Sequence, residues 1–174
     1  MPEVINGGFE SPQVTAPPWW AIYSSAQVNW TVEWVGNYTP DGPFLELHHG
    51  VNGWVSYEGL QHAELDTDWE GGSGEPASVS ISQELGTCTD VTYDLTYAWS
   101  PRQGHDDNAL EVYVDGGPVG SHRASGAGNS TTVWTVETVS FTAAGSTATI
   151  EFKEAGNPDS LGMFLDAVSV TESP

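Results

Sequence analysis

The chain has 174 residues, enough for one domain with a sizeable core, and carries 24 Asp and Glu against three Lys and Arg, for a formal charge of −21. That balance excludes nucleic acid as a partner, because phosphate binding needs cationic side chains, and disfavours docking on anionic lipid. Its one cysteine, Cys88, excludes an internal disulfide, and no apolar run is long enough to insert into a membrane.

The opening Met1-Pro2-Glu3 has no basic start and no apolar run follows it, so no signal peptide is expected in these residues. Asn6-Gly7-Gly8-Phe9-Glu10 reads as a short strand-like run ending in a carboxylate. Trp19 and Trp20 follow Pro17-Pro18 in a predicted loop. Val28 to Val35 is rich in β-branched and aromatic residues and reads as a strand. Phe44 to His48 and Gln61 to Asp66 alternate, as does Ala77 to Gln83. Between them, His48, His49, Trp54 and Tyr57 flank Gly50-Val51-Asn52-Gly53, and Trp69 and Glu70 precede a second Gly-rich turn. Val91 to Trp99 is the longest clean strand, with Tyr93, Leu95, Tyr97 and Trp99 on one side. Leu110 to Val114 runs into Asp115-Gly116-Gly117, a hairpin signal. Trp134 to Phe141, Ala148 to Phe152 and Phe164 to Val170 complete the set. No helix is predicted. Many short strands with turns at regular intervals indicate an all-β fold, an antiparallel β-sandwich of jelly-roll type, spanning residues 1–174 as one domain.

Acidity spread along the chain reads as a solvated face, and adaptation to salt explains it as well as cation sites do. If the first and last runs lie side by side, Glu10 and Asp166 are placed to hold one Ca²⁺, since hard cations take carboxylate and carbonyl oxygens. The plainer alternative is a pair of ordinary strand-end carboxylates. Asn6 either adds an oxygen or shapes the turn before Gly7.

Asn-Gly-Gly-Phe-Glu at the start and Leu165-Asp166-Ala167-Val168-Ser169-Val170 at the end resemble the border motifs of galactose-binding-like jelly-roll carbohydrate-binding modules. The segments Asp41 to Leu47, Tyr57 to Leu65, Ser100 to Arg102, Asn108 to Gly116 and Asp159 to Gly162 are similar to a subset in secreted bacterial proteins, the DUF642-like domains and calcium-dependent adhesins. The resemblance implies paired first and last strands with a structural Ca²⁺ between them. It also implies a non-catalytic binding role at the cell surface or outside the cell, within a larger bacterial protein. The expected partner is a glycan or polysaccharide, or else a peptide or cell-surface protein.

Two further constellations are candidates for that binding. Arg102, Asp107, Asn108 and Asp159 belong to two polar loops; Arg102 either donates to a ligand or braces the loops through a carboxylate. Trp54 and Tyr57, with the loop indoles Trp19 and Trp20, suit stacking on sugar rings, with His49, Asn52 or Glu70 bonding hydroxyls, whereas the strand tryptophans Trp30, Trp34, Trp99 and Trp134 are expected to fill the core. His48 and His49 point to opposite faces of a strand and so do not share an ion. Glu46 and Glu64 facing each other on neighbouring strands would have the form of a glycosidase carboxylate pair, the one enzymatic alternative; the chain is otherwise expected not to be an enzyme.

Overall fold

A computed structural model describes residues 2–36, 42–68 and 78–174. Two antiparallel sheets pack face to face. The six-stranded sheet runs β1 (Trp20–Tyr23), β3 (Leu45–His48), β4 (His62–Glu64), β11 (Phe164–Glu172), β6 (Thr92–Ser100), β9 (Thr135–Thr142). The five-stranded sheet runs β2 (Thr31–Trp34), β5 (Val79–Gly86), β10 (Thr147–Glu154), β7 (Asn108–Val114), β8 (Gly117–Ala124). This is the predicted jelly-roll sandwich. Period-two alternation explains it: Leu45, Leu47, Ala63, Leu65, Leu95, Tyr97 and Leu165 face Ile81, Val112, Ile150 and Phe152 across a dry interior. Among the described residues no helix is long and apolar enough to cross a membrane.

Several details differ from the sequence reading. Ser25–Val28 is a single helical turn rather than the start of a strand. The Ser24 N–H donates to Gln27 Oε1, and Asn29 closes the turn in the left-handed region at φ 62°, so the strand begins only at Thr31. Trp20 belongs to edge strand β1, too short to register as a period. Strand β8, with its glycines and proline, has no strand composition and is fixed by the hairpin at Asp115 and Gly116, both at positive φ. Trp69 and Glu70 lie outside the described residues.

The two ends meet, but not as paired strands. Asn6 to Phe9 form a turn, with Asn6 and Phe9 at φ 56° and 54°. This turn docks on β11 where that strand bulges between Asp166 and Ser169. The Val168 N–H donates to the Gly7 carbonyl at 2.9 Å. A Cβ on Gly7 would lie 2.0 Å from the Val168 carbonyl oxygen, so only glycine allows the approach.

The outer face of the six-stranded sheet is what positions the site. An antiparallel sheet commonly leaves one face to water. Here the segment Gly50 to Gln61 folds back over β3, β4 and β11, and its Val51 and Trp54 join Phe164 in a second, smaller apolar cluster. Trp20 and Trp134 pack against this cluster. Outward-facing residues of β3 and β4 are therefore buried, including Glu46, His48, His62 and Glu64.

Candidate functional site

The site is built on a four-residue ionic lattice beneath a cavity. Glu46 and Glu64 are register partners on β3 and β4, as are His48 and His62. His48 Nε2 lies 2.6 Å from Glu46 Oε1 and 2.9 Å from Glu64 Oε2. The Arg102 guanidinium donates to both Glu64 oxygens, and Glu64 is fully buried. Burial works against charge on His48, but its bonds to the two glutamates outweigh that and raise its pKa to about 9. Glu64 also resists burial, and Arg102 and His48 hold it below the usual carboxylate range. Burial pushes Glu46 up, and it does the same to His62 in the opposite sense, keeping that imidazole neutral, with the His48 and Arg102 charges adding to the effect. Two carboxylates and two cations thus neutralise one another away from water.

Ligand atoms of Glu46, His48 and Glu64 lie within 4.8 Å of one another, a spacing that suits a metal ion. The protonated His48 and the Arg102 guanidinium already supply the positive charge that an ion would bring.

Above the lattice is a cavity of about 320 Å³. Pro18, Trp20, Val51 and Leu161 supply its apolar lining; Asn52, Asp68, Arg102 and Ser160 supply the polar lining, together with Glu46 and His48 of the lattice. The wall carrying Ser160 is held by buried carboxylates that grip backbone amides. Gly162 N–H donates to Glu64, Met163 and Gly156 N–H to Glu154, and Asp159 N–H to Asp66, at 2.7–2.8 Å. Burial raises Asp66 to about 8 and Glu154 to about 7, and each feels the negative charge of Glu64.

Of the residues singled out from sequence, Trp20, Glu46, Asn52 and Arg102 line this cavity, and Trp54 packs against Arg102 and His48 behind the lining. Trp54 is 8% exposed, with the near-parallel His48 imidazole centred 5.8 Å from its ring and the Arg102 guanidinium 5.2 Å from it. It supports the guanidinium, and its burial leaves little of the indole for a sugar to stack on. Tyr57 is exposed on the far side of the covering segment, edge-on to Trp134. His49 is tied to the Val14 carbonyl and stands against Trp19, away from His48. Asp107 pairs with Arg123 and accepts the Asn157 N–H. Asn108 is buried, accepting the Arg102 N–H and donating to the His105 carbonyl. Asp159 sits 3.6 Å from His105. These three brace the loops, and the carboxylate that Arg102 engages is Glu64, not Asp107 or Asp159.

Glu10, Asp166 and Asn6 all serve the chain-end junction. Asp166 Oδ2 accepts the Tyr57 and Glu58 N–H groups, and Glu10 Oε1 accepts those of Leu60 and Gln61, so both grip one turn from opposite ends. The Asn6 side chain is committed to Ser11 and to the Val28 carbonyl, which makes it a turn former. Trp20 is one of the loop indoles that the sequence offers for stacking, whereas Asp68 and Ser160 were not singled out for binding. The available signal was Glu46 and His48, with His62 and Glu64, recurring at period two: ionisable side chains on a covered face mark something built there.

Fold and site together define a jelly-roll β-sandwich with a covered sheet face bearing a mixed aromatic and polar cavity. The chain belongs to the DUF642 family, described as "Protein of unknown function (DUF642)", whose pattern matches residues 3–171. Among solved structures it is similar to TmCBM61 in complex with beta-1,4-galactotriose, at 16% identity and a TM-score of 0.52, over 99% of each chain. It is also similar to the Clostridium thermocellum xylanase 10B fragment that joins a CBM22 module to a GH10 module, complexed with xylohexaose. There the identity is 15% and the TM-score 0.52, over 99% of this chain and 29% of that one. At these identities the likeness is one of fold. No curated protein matches the chain.

Proposed function

We propose that the chain is a non-catalytic carbohydrate-binding module of an extracellular protein, and that a sugar ring seats in the cavity against Trp20. The observation that carries this reading is the pairing, in one cavity lining, of the Trp20 indole with Asn52, Asp68 and Arg102. A pyranose has apolar C–H faces and a belt of hydroxyls, and that pairing matches both. A volume of about 320 Å³ holds about ten waters' worth of space, the scale of one or two sugar units. The fold neighbours in complex with galactotriose and xylohexaose support a glycan over other ligands.

Hydrolysis does not suit the carboxylate pair. Glu64 is fully buried and both its oxygens face Arg102, while Glu46 shares the His48 proton. Neither is free to attack or to protonate a glycosidic oxygen.

A structural Ca²⁺ is proposed at the chain-end turn, held by Glu10 and Asp166. Burial raises Asp166 to about 7, with the Glu58 carboxylate adding to the effect. No Lys, Arg or His pairs with Glu10, Glu58 or Asp166 among the described residues. Bound there, the ion would supply that missing positive charge and tie the ends together.

The test is a glycan array probed with the wild type and with Trp20→Ala, repeated in chelator. Glycan signal lost in Trp20→Ala, with no release of reducing ends, supports the reading. An empty glycan array, with capture of peptides in parallel, would replace it by the adhesin reading.

A further inference from the structure

The cavity is too small to hold a long chain, yet a second surface lies beside it. Val55, Tyr57, Val133 and Val136 are among the most exposed apolar side chains, at 65%, 49%, 51% and 45%. Val55 and Tyr57 are held beside Trp134, the chain neighbour of Val133. The Val55 carbonyl accepts both the Trp134 indole N–H at 2.8 Å and the Thr132 hydroxyl at 2.6 Å, and the Tyr57 ring stands edge-on to Trp134 at 6.3 Å. Val136 follows Trp134 on edge strand β9.

The patch and the cavity share a spine. Asn52 on the cavity rim and Val55 in the patch are three residues apart, so no more than about 11 Å of chain separates them. Trp20 and Trp134 pack against the same small cluster of Val51, Trp54 and Phe164. Two indoles on one rigid support keep a fixed separation. Val55, Tyr57, Val133, Trp134 and Val136 carry no charge, in a chain whose formal charge is −21. An anionic polymer is repelled by that field and a cationic one would settle on the acidic surface elsewhere, so the occupant that fits is uncharged.

We infer that Tyr57 and Trp134 form a second subsite, so that the ligand is an extended neutral polysaccharide with one end seated in the cavity and the following units lying over the patch. This inference rests on the function proposed above. It is tested by titration calorimetry of the full chain with cello-, xylo- and β-1,4-galacto-oligosaccharides, each as disaccharide and hexasaccharide. In the wild type the hexasaccharide of the preferred series binds roughly tenfold tighter than the disaccharide. Tyr57→Ala and Val55→Glu, at exposed positions with little consequence for folding, remove that gain and leave disaccharide binding within about twofold. Equal affinity for both lengths in the wild type, or an undiminished hexasaccharide advantage in both variants, overturns the second subsite while the cavity reading stands. No binding of any oligosaccharide by the wild type overturns the cavity reading itself, and the second subsite with it.

Discussion

Replacing Arg102 with Met isolates what the buried lattice contributes. The change keeps most of the aliphatic stem over Trp54 and deletes the guanidinium that faces both oxygens of Glu64. Glu64 has no exposed surface, and the Arg102 side chain is only 17% exposed, so solvent cannot replace the lost partner. Removing one member of a buried pair costs about 3–5 kcal/mol, mostly through the stranded charge. His48 and the Gly162 N–H remain on Glu64, which places the expected loss near the lower end, about 3 kcal/mol. For a chain of this length that is a fall of about 6–12 °C in Tm. Differential scanning calorimetry at pH 7 reads it. The double variant Arg102→Met with Glu64→Gln should recover part of the loss, because the amide keeps an acceptor for Gly162 and carries no charge. With Arg102 gone, Glu64 protonates more easily, so the deficit of the single variant should shrink as pH falls toward 5. A drop below about 2 °C, or a double variant no more stable than the single, would show that the Glu64 charge is not held by Arg102.

Other outcomes follow from the same geometry. His48, Asp66, Glu154 and Asp166 all have folded pKa values raised above their ordinary ones, to about 9, 8, 7 and 7. Each therefore contributes stability that is complete below its unfolded pKa and lost as pH rises through the folded one. Tm in chelator should decline from pH 6 to pH 9.5, and a flat or rising profile would contradict the assignment. Added Ca²⁺ should raise Tm at pH 8 in the wild type and not in Asp166→Asn; equal shifts in both would remove the ion from the chain-end turn. Gly7→Ala should cost at least roughly 1–3 kcal/mol in urea unfolding, because its Cβ would meet the Val168 carbonyl at 2.0 Å. An unchanged midpoint would mean that the docked turn yields freely.

The sandwich was legible because its strands announce themselves. Leu45 with Leu47, Leu95 with Tyr97 and Ile150 with Phe152 all place apolar side chains at period two, and that pattern sets which face is core. The meeting of the chain ends was legible too, from Gly7 and the β11 bulge region, although the geometry is a docked turn. The site was harder to read. Trp54 looks in sequence like an exposed loop indole, and only the fold-back of Gly50 to Gln61 over the sheet buries it. Pairing of Arg102 with Glu64 crosses 38 residues and depends on which strands become neighbours, which composition does not encode. Trp20 reads in sequence as a loop indole, and its place in a strand was not legible because β1 has four residues and carries no detectable period.

The loop from Gly156 to Met163 is gripped through its amide hydrogens, by Glu64, Asp66 and Glu154. An amide is the same in every residue except proline. The Leu161 side chain, which this loop presents to the cavity, is apolar and takes no part in that grip. Gly162 is fixed, since a Cβ there would strike Asp66 and Glu154. Ser160 is constrained too, by its positive φ of 67°, which leaves Leu161 as the position whose chemistry can vary while the backbone stays in place. With a sugar seated in the cavity as proposed, ligand preference would be rewritten at Leu161 without redesigning the scaffold, a separation of recognition from support that suits this lining to directed selection.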